Sequence, residues 1–279
     1  MKKGISIWSF PVQSLNRNFV LAKSAGFDGI ELALDAEGEV SLNSKEKDLL
    51  AVKQSAEDHG LKLYSVASGL YWDNWLTDDS LAAREKAKDI VKRHLWTAKV
   101  LGADTILVVP GSVNADFAAP GKVVDYQDAY HRSLEAFLEL KEEARSLRVS
   151  IGIENVWNKF LVSPLEMRDF IDRIDSPYVG SYFDVGNVLF NGYPEQWIKI
   201  LGHRIKKVHF KDYRVQAGGL HGFVDLLAGD VDYPAVMEAL KKIGYDGWVS
   251  AEMIPNYKHF TETIIYNTSN AMDRILGRK

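Results

Sequence analysis

Four titratable side chains in the second half of the chain each close an apolar run: Glu154 after VSIGI, Asp184 after YVGSYF, His209 after IKKV and Glu252 after GWVSA. Their neighbours in sequence are residues that bury, and a buried carboxylate is costly unless it is paired or bound to a metal. Three carboxylates converging without a cation would repel one another. One divalent ion resolves both problems. Three carboxylate oxygens and an imidazole form a fairly hard donor set that suits Mn2+ first, with Mg2+, Co2+ or Zn2+ as alternatives, and leaves positions for substrate oxygens. Taken singly, each acidic residue reads equally well as the N-cap of a following helix, and His209 as a hydrogen-bonded structural histidine. Four consecutive runs ending in compatible ligand types read as one metal site.

The elements that must position these residues follow a regular alternation. Short apolar or β-branched runs at 4–8, 29–33, 62–67, 105–109, 149–154, 178–184, 205–209 and 247–252 are separated by stretches of helical periodicity. Most of the runs lack polar alternation, as expected of parallel strands covered on both faces. In SPLE, Ser163 is placed as an N-cap, Pro164 as the first helical residue and Glu166 as the capping-box partner; Phe170, Ile171 and Ile174 then form an apolar stripe. Val236, Leu240 and Ile243 make a second stripe, which Gly244 terminates. Eight βα units with no linker between them predict a single (β/α)8 barrel, the TIM barrel, over residues 1–279. An open doubly wound sheet is disfavoured, because no glycine-rich phosphate loop follows the first strand. In such a barrel the reacting groups sit at the C-terminal ends of the strands, where all four residues fall.

Composition narrows the partners. The net charge of −4 leaves no basic field for nucleic acid, and the absence of cysteine excludes disulfides and thiolate chemistry. The opening MKKGISIWSF, soon followed by Pro11, predicts neither a signal peptide nor a membrane span, so a cytoplasmic location is the expectation. Of the other six histidines, His221 stands apart in QAGGLHGF, a glycine-containing loop after the seventh strand and a candidate lid.

At IGIENVWNKFLVSP, YFDVGN, VHFKDYR and GDVDYPAVMEALKKIGYDGWVSAE the chain resembles the sugar-phosphate isomerase/epimerase family, which has the xylose-isomerase-like barrel. The likeness runs through nearly the whole chain and is strongest toward the ketose 3-epimerases, including the L-ribulose-5-phosphate (L-xylulose-5-phosphate) 3-epimerase branch. It implies that Glu154 and Glu252 are both metal ligands and the acid/base pair, that Asp184 and His209 complete the shell, that Arg214 holds substrate oxygens, and that Glu31 makes a polar contact in the mouth. Asn187 stands where the free-sugar epimerases carry a histidine; it can hydrogen-bond substrate but cannot shuttle a proton. The segment SGLYWDNWLTDD is aromatic where the phosphopentose branch is richer in basic residues, so Trp8, Tyr71, Trp72 and Trp75 become candidates for an apolar wall against a sugar. The implied activity is reversible C3 epimerisation of a ketose or its phosphate through an enediolate. Aldose-ketose isomerisation and dehydration of a keto-inositol are alternatives on the same site, and a non-catalytic sugar-binding barrel is a third. Endonuclease IV shares the architecture but needs several zinc ions and many histidines, against one strand-end histidine here. The family also implies a small-molecule sugar partner and a homo-oligomer.

Overall fold

A computed structural model describes residues 1–278. Eight parallel strands close into a barrel: β1 (Lys2–Ser6), β2 (Gly29–Ala33), β3 (Lys62–Ala67), β4 (Thr105–Val108), β5 (Ser150–Glu154), β6 (Val179–Asp184), β7 (Ile205–Phe210) and β10 (Trp248–Ala251), with β10 completing the ring between β7 and β1. Two further short strands, β8 (Asp212–Tyr213) and β9 (Phe223–Val224), pair as an antiparallel ribbon above the mouth. Helices α1 (Leu15–Ser24), α2 (Glu46–Asp58), α3 (Leu81–Leu101), α4 (Tyr126–Leu147), α5 (Pro164–Ile174), α6 (Val185–Val188), α7 (Pro194–Leu201), α8 (Tyr233–Lys242) and α9 (Thr263–Ile275) fill the connections. Among the described residues, no helix is long and apolar enough to cross a membrane.

The expected strands are all present; several ends move by one residue, and the first strand moves most. The first runs from Lys2 to Ser6, and Trp8 lies in a 3-10 turn at Ile7–Ser9 that carries its ring over the mouth. Helix signals behave as their chemistry predicts. Ser163 Oγ accepts from Glu166 N–H at 3.2 Å, with Pro164 in the first turn of α5, although the Glu166 carboxylate returns to the N–H of Val162 and not to that of the cap. Met167, Phe170, Ile171 and Ile174 then bury against the barrel wall. Gly102 ends α3 in the left-handed region at φ +80°, where a side chain would be strained.

The barrel interior is polar, and two glycines make it so. A Cβ on Gly4 would lie 2.2 Å from Tyr64 Oη, and one on Gly152 would lie 2.9 Å from Tyr182 Cβ. Removing those side chains lets two tyrosine rings cross the barrel, one donating to Ser250 Oγ at 2.7 Å and the other to Glu31. Buried hydroxyls need partners, and these two find them beneath the site.

Above the mouth, Asp212 organises the long loop after β7. Its carboxylate accepts from the backbone N–H groups of Tyr213, Leu227, Gly229 and Val231, and a Cβ on Gly229 would collide with it at 2.2 Å. Trp157 packs against Tyr213 and Phe223 with ring centroids 5.4 and 5.2 Å away, tying this loop to the one after β5.

Candidate metal centre

Strand register brings the four predicted ligands together. Asp184 pairs directly with His209 across β6 and β7, Glu154 ends β5, and Glu252 follows β10. Their donor atoms all lie within 4.8 Å of one another, and all four residues are buried. His209 Nδ1 stands 3.9 Å from Glu154 Oε1, 3.8 Å from Asp184 Oδ2 and 3.9 Å from Glu252 Oε2. Two donors ~2.1 Å from a shared ion are at most ~4.2 Å apart, so these three spacings fit a common cation. Asp184 Oδ2 and His209 Nδ1 are also buried without a hydrogen-bond partner, so both atoms are free to ligate an ion. Asp184 satisfies both readings of a strand-end carboxylate: Oδ1 caps α6 by accepting from Asn187 N–H at 2.7 Å, and Oδ2 faces the cluster.

The electrostatics show what the cluster lacks. Burial first, then the charge of Glu252, pushes Glu154 up to about 8. Asp184 is raised as well, chiefly by burial. Burial opposes charge on His209, but Glu31 and the neighbouring carboxylates prevail and lift it to about 9. Lys211 contacts Glu252 and lies 3.4 Å from Asp184; against the cost of its burial, those carboxylates hold its ammonium above the usual lysine range. The carboxylates thus gather protons and one lysine, a charge deficit that a divalent ion would fill. Lys211 was not anticipated as a site residue. Its signal lay in VHFKDYR, two positions beyond His209 and therefore on the same face of the extended chain.

Glu31 departs from the mouth contact expected of it. It is fully buried beneath His209, with Oε1 2.9 Å from His209 Nε2 and Oε2 accepting from Ser65 at 2.8 Å and from Tyr182. Accepting the Nε2 proton fixes the ring orientation and leaves the Nδ1 lone pair for an ion. Glu31→Gln is therefore expected to weaken Mn2+ binding by roughly 10- to 100-fold in a calorimetric titration. Unchanged affinity would show that Glu31 serves the barrel interior alone.

A cavity of about 760 Å³ opens above the cluster. Glu154, Glu252, Lys211 and Asn187 line it together with Trp8, Trp72, Trp157, Phe223 and His221. Asn187 donates through Nδ2 to Asn155 O at 3.0 Å, which holds it in place at the rim. Tyr71 and Trp75 are almost wholly buried and pack in the core instead of forming a wall. Arg214 is exposed and does not line the cavity; its guanidinium donates to Ala228 O at 2.7 Å, so it braces the loop after β7.

The structure is thus a closed parallel barrel with a buried carboxylate-imidazole cluster that could hold a cation, set beneath a cavity at its C-terminal mouth. The chain belongs to the family described as Xylose isomerase-like TIM barrel, whose sequence profile matches residues 19–267. Among curated relatives, an Escherichia coli K12 protein with the provisional name L-ribulose-5-phosphate 3-epimerase SgbU is 26% identical over 84% of this chain and 82% of its own. Among solved structures, D-psicose 3-epimerase in the presence of D-fructose superposes with a TM-score of 0.83 at 19% identity, covering 99% of this chain and 100% of that one. The IOLI protein with a bound zinc atom superposes with a TM-score of 0.82 at 19% identity, covering 100% and 99%.

Proposed function

We propose that this chain is a divalent-metal-dependent ketose 3-epimerase in which Glu154 and Glu252 exchange the C3 proton. One observation carries the reading. Of the four cluster residues, Glu154 and Glu252 alone line the cavity, and they reach it from strands separated in the barrel by β6 and β7, while Asp184 and His209 lie beneath with no exposed surface. Two carboxylates approaching a ligand from different sides suit removal of a proton from one face and its return to the other. The residues fit a metal; Mn2+ is the reading preferred on donor hardness, and the zinc of the IOLI structure keeps Zn2+ in the set.

The ion, when bound, would supply Lewis-acid stabilisation of the negative charge that develops on the substrate. The chain supplies the rest. The Lys211 ammonium rests against Glu252, so the two glutamates begin in different charge environments. Glu252 removes the C3 proton to give an enediolate, and Glu154, having taken a proton from solvent, delivers it to the opposite face while Glu252 gives its own up to solvent; the roles exchange in the reverse direction. Asn187 offers its amide to substrate oxygens, and the tryptophans present their faces to the C–H surface of the sugar.

The test is incubation of the metal-loaded protein with candidate ketoses in D2O. One deuterium at C3, with appearance of the C3 epimer, is the expected result. Label at C1 or C2 identifies an aldose-ketose isomerase, and irreversible loss of water a dehydratase. Absence of label at C3 with every ketose would sink the epimerase reading.

A further inference from the structure

The cavity leaves room beyond a free ketose, and little uncommitted positive charge lines it for a ketose phosphate. A hexose has twelve non-hydrogen atoms; even at the ~30 Å³ that a water occupies in the liquid, it would fill less than half of the roughly 760 Å³ available. The space continues outward. A second groove of about 380 Å³ shares Phe117, Val156, Trp157, Asn187 and Leu220 with the first and extends to Phe190.

Aromatic side chains form part of the wall of this groove. Trp157 is locked by its indole N–H, which donates to Asn187 O at 3.0 Å, and it packs against Phe190 with centroids 5.2 Å apart. Phe117 packs edge-on to Trp72 at 4.8 Å. Such rings offer flat apolar faces to another ring at little entropic cost.

Positive charge is spoken for. Lys211 is paired with Glu252 and Asp184, and Lys159 donates to Asn114 at 2.7 Å and Asp116 at 3.0 Å. Arg214 is turned away onto Ala228. Glu154, Asp184, Glu252 and Glu31 carry four negative charges when ionised, against two from a divalent ion and one from Lys211. Among the described residues lining the two pockets, His221 is left as the group that could still gain positive charge, so a phosphate dianion would meet little uncommitted cation.

From this the geometry points to a ketose whose distal end carries an uncharged second ring, the ketose standing over Glu154 and Glu252 and the second ring lying along the groove lined by Phe117, Trp157 and Phe190. This inference rests on the epimerase reading for the ketose half only; the groove is a binding property that can be measured without turnover.

Three matched probes share one ketose and differ at O6: D-fructose, D-fructose 6-phosphate and isomaltulose, in which O6 carries a glucosyl ring. Binding to the metal-loaded full chain is read by tryptophan fluorescence and, in parallel, C3 deuteration in D2O by NMR. Isomaltulose is expected to bind at least ten times more tightly than fructose, and the phosphate no more tightly than fructose. Phe190→Ala, at a residue that lines the outer groove and not the first cavity, should reduce the isomaltulose-to-fructose affinity ratio at least fivefold. Isomaltulose binding no tighter than fructose, tightest binding by the phosphate, or an unchanged ratio in Phe190→Ala would overturn the inference. Tight isomaltulose binding with no C3 deuteration of any probe would leave the groove assignment standing and count against the epimerase reading.

Discussion

Glu154→Gln and Glu252→Gln are each expected to lower the rate of C3 exchange by about 10²- to 10⁴-fold at saturating metal, the range over which a positioned acid or base contributes. The exposed carboxylate edge of each residue lies in the cavity, so each substitution removes a proton carrier while keeping nearly the same volume. Both residues also belong to the cation cluster, and weaker metal binding will accompany the loss. Sugar affinity measured by tryptophan fluorescence should survive in part, since Trp8, Trp72 and Trp157 are untouched. The double variant should be little worse than either single one, because the two carboxylates serve one proton relay. Residual exchange within tenfold of the parent in either single variant would remove that glutamate from the reaction. A barrel that only binds sugar would show no exchange in the parent chain.

Chelation should abolish exchange and destabilise the fold. An ion present at a thousandfold excess over its Kd contributes about 4 kcal/mol, which for a chain of this size is a melting shift on the order of 10 °C. The pH dependence has a defined sign. Metal requires the Glu154 carboxylate and a neutral His209, yet in the metal-free protein these groups hold their protons up to about 8 and about 9. Binding near neutral pH must therefore expel protons, so affinity rises with pH toward that window and levels off above it. Calorimetry in buffers of different ionisation enthalpy reads the released protons directly. Metal uptake at pH 7 without proton release would contradict the charge states described for the cluster.

The buried cluster was legible from sequence because its residues fall at or beside the strand ends, where burial pattern and residue type can both be read. Asp184 shows why no single position sufficed, since one of its oxygens caps α6 and the other faces the cluster. What could not be read depends on register and on the long loops. The pairing of β2 with β3 slips between Ile30 and Glu31, setting Glu31 opposite Ser65, and such an irregularity re-aims a side chain without leaving a mark in the hydrophobic pattern. Glu31 accordingly lies under His209 instead of in the mouth. Arg214 follows β8 in a loop held by Asp212 through N–H groups up to nineteen residues away, a non-local arrangement invisible to spacing. The start of β1 differs because Lys2 and Lys3 extend the strand below the apolar run, with Lys3 buried on the distant Asp273 at 2.7 Å.

Metal stoichiometry tests the central claim most directly. After dialysis against Mn2+ and removal of excess, elemental analysis of the parent chain should find one ion per polypeptide, and a chain carrying both Asp184→Asn and His209→Ala should hold none while keeping its far-ultraviolet circular dichroism. A parent chain that retains no ion, or a double variant that retains it in full, would contradict the assignment of Glu154, Asp184, His209 and Glu252 as one metal centre.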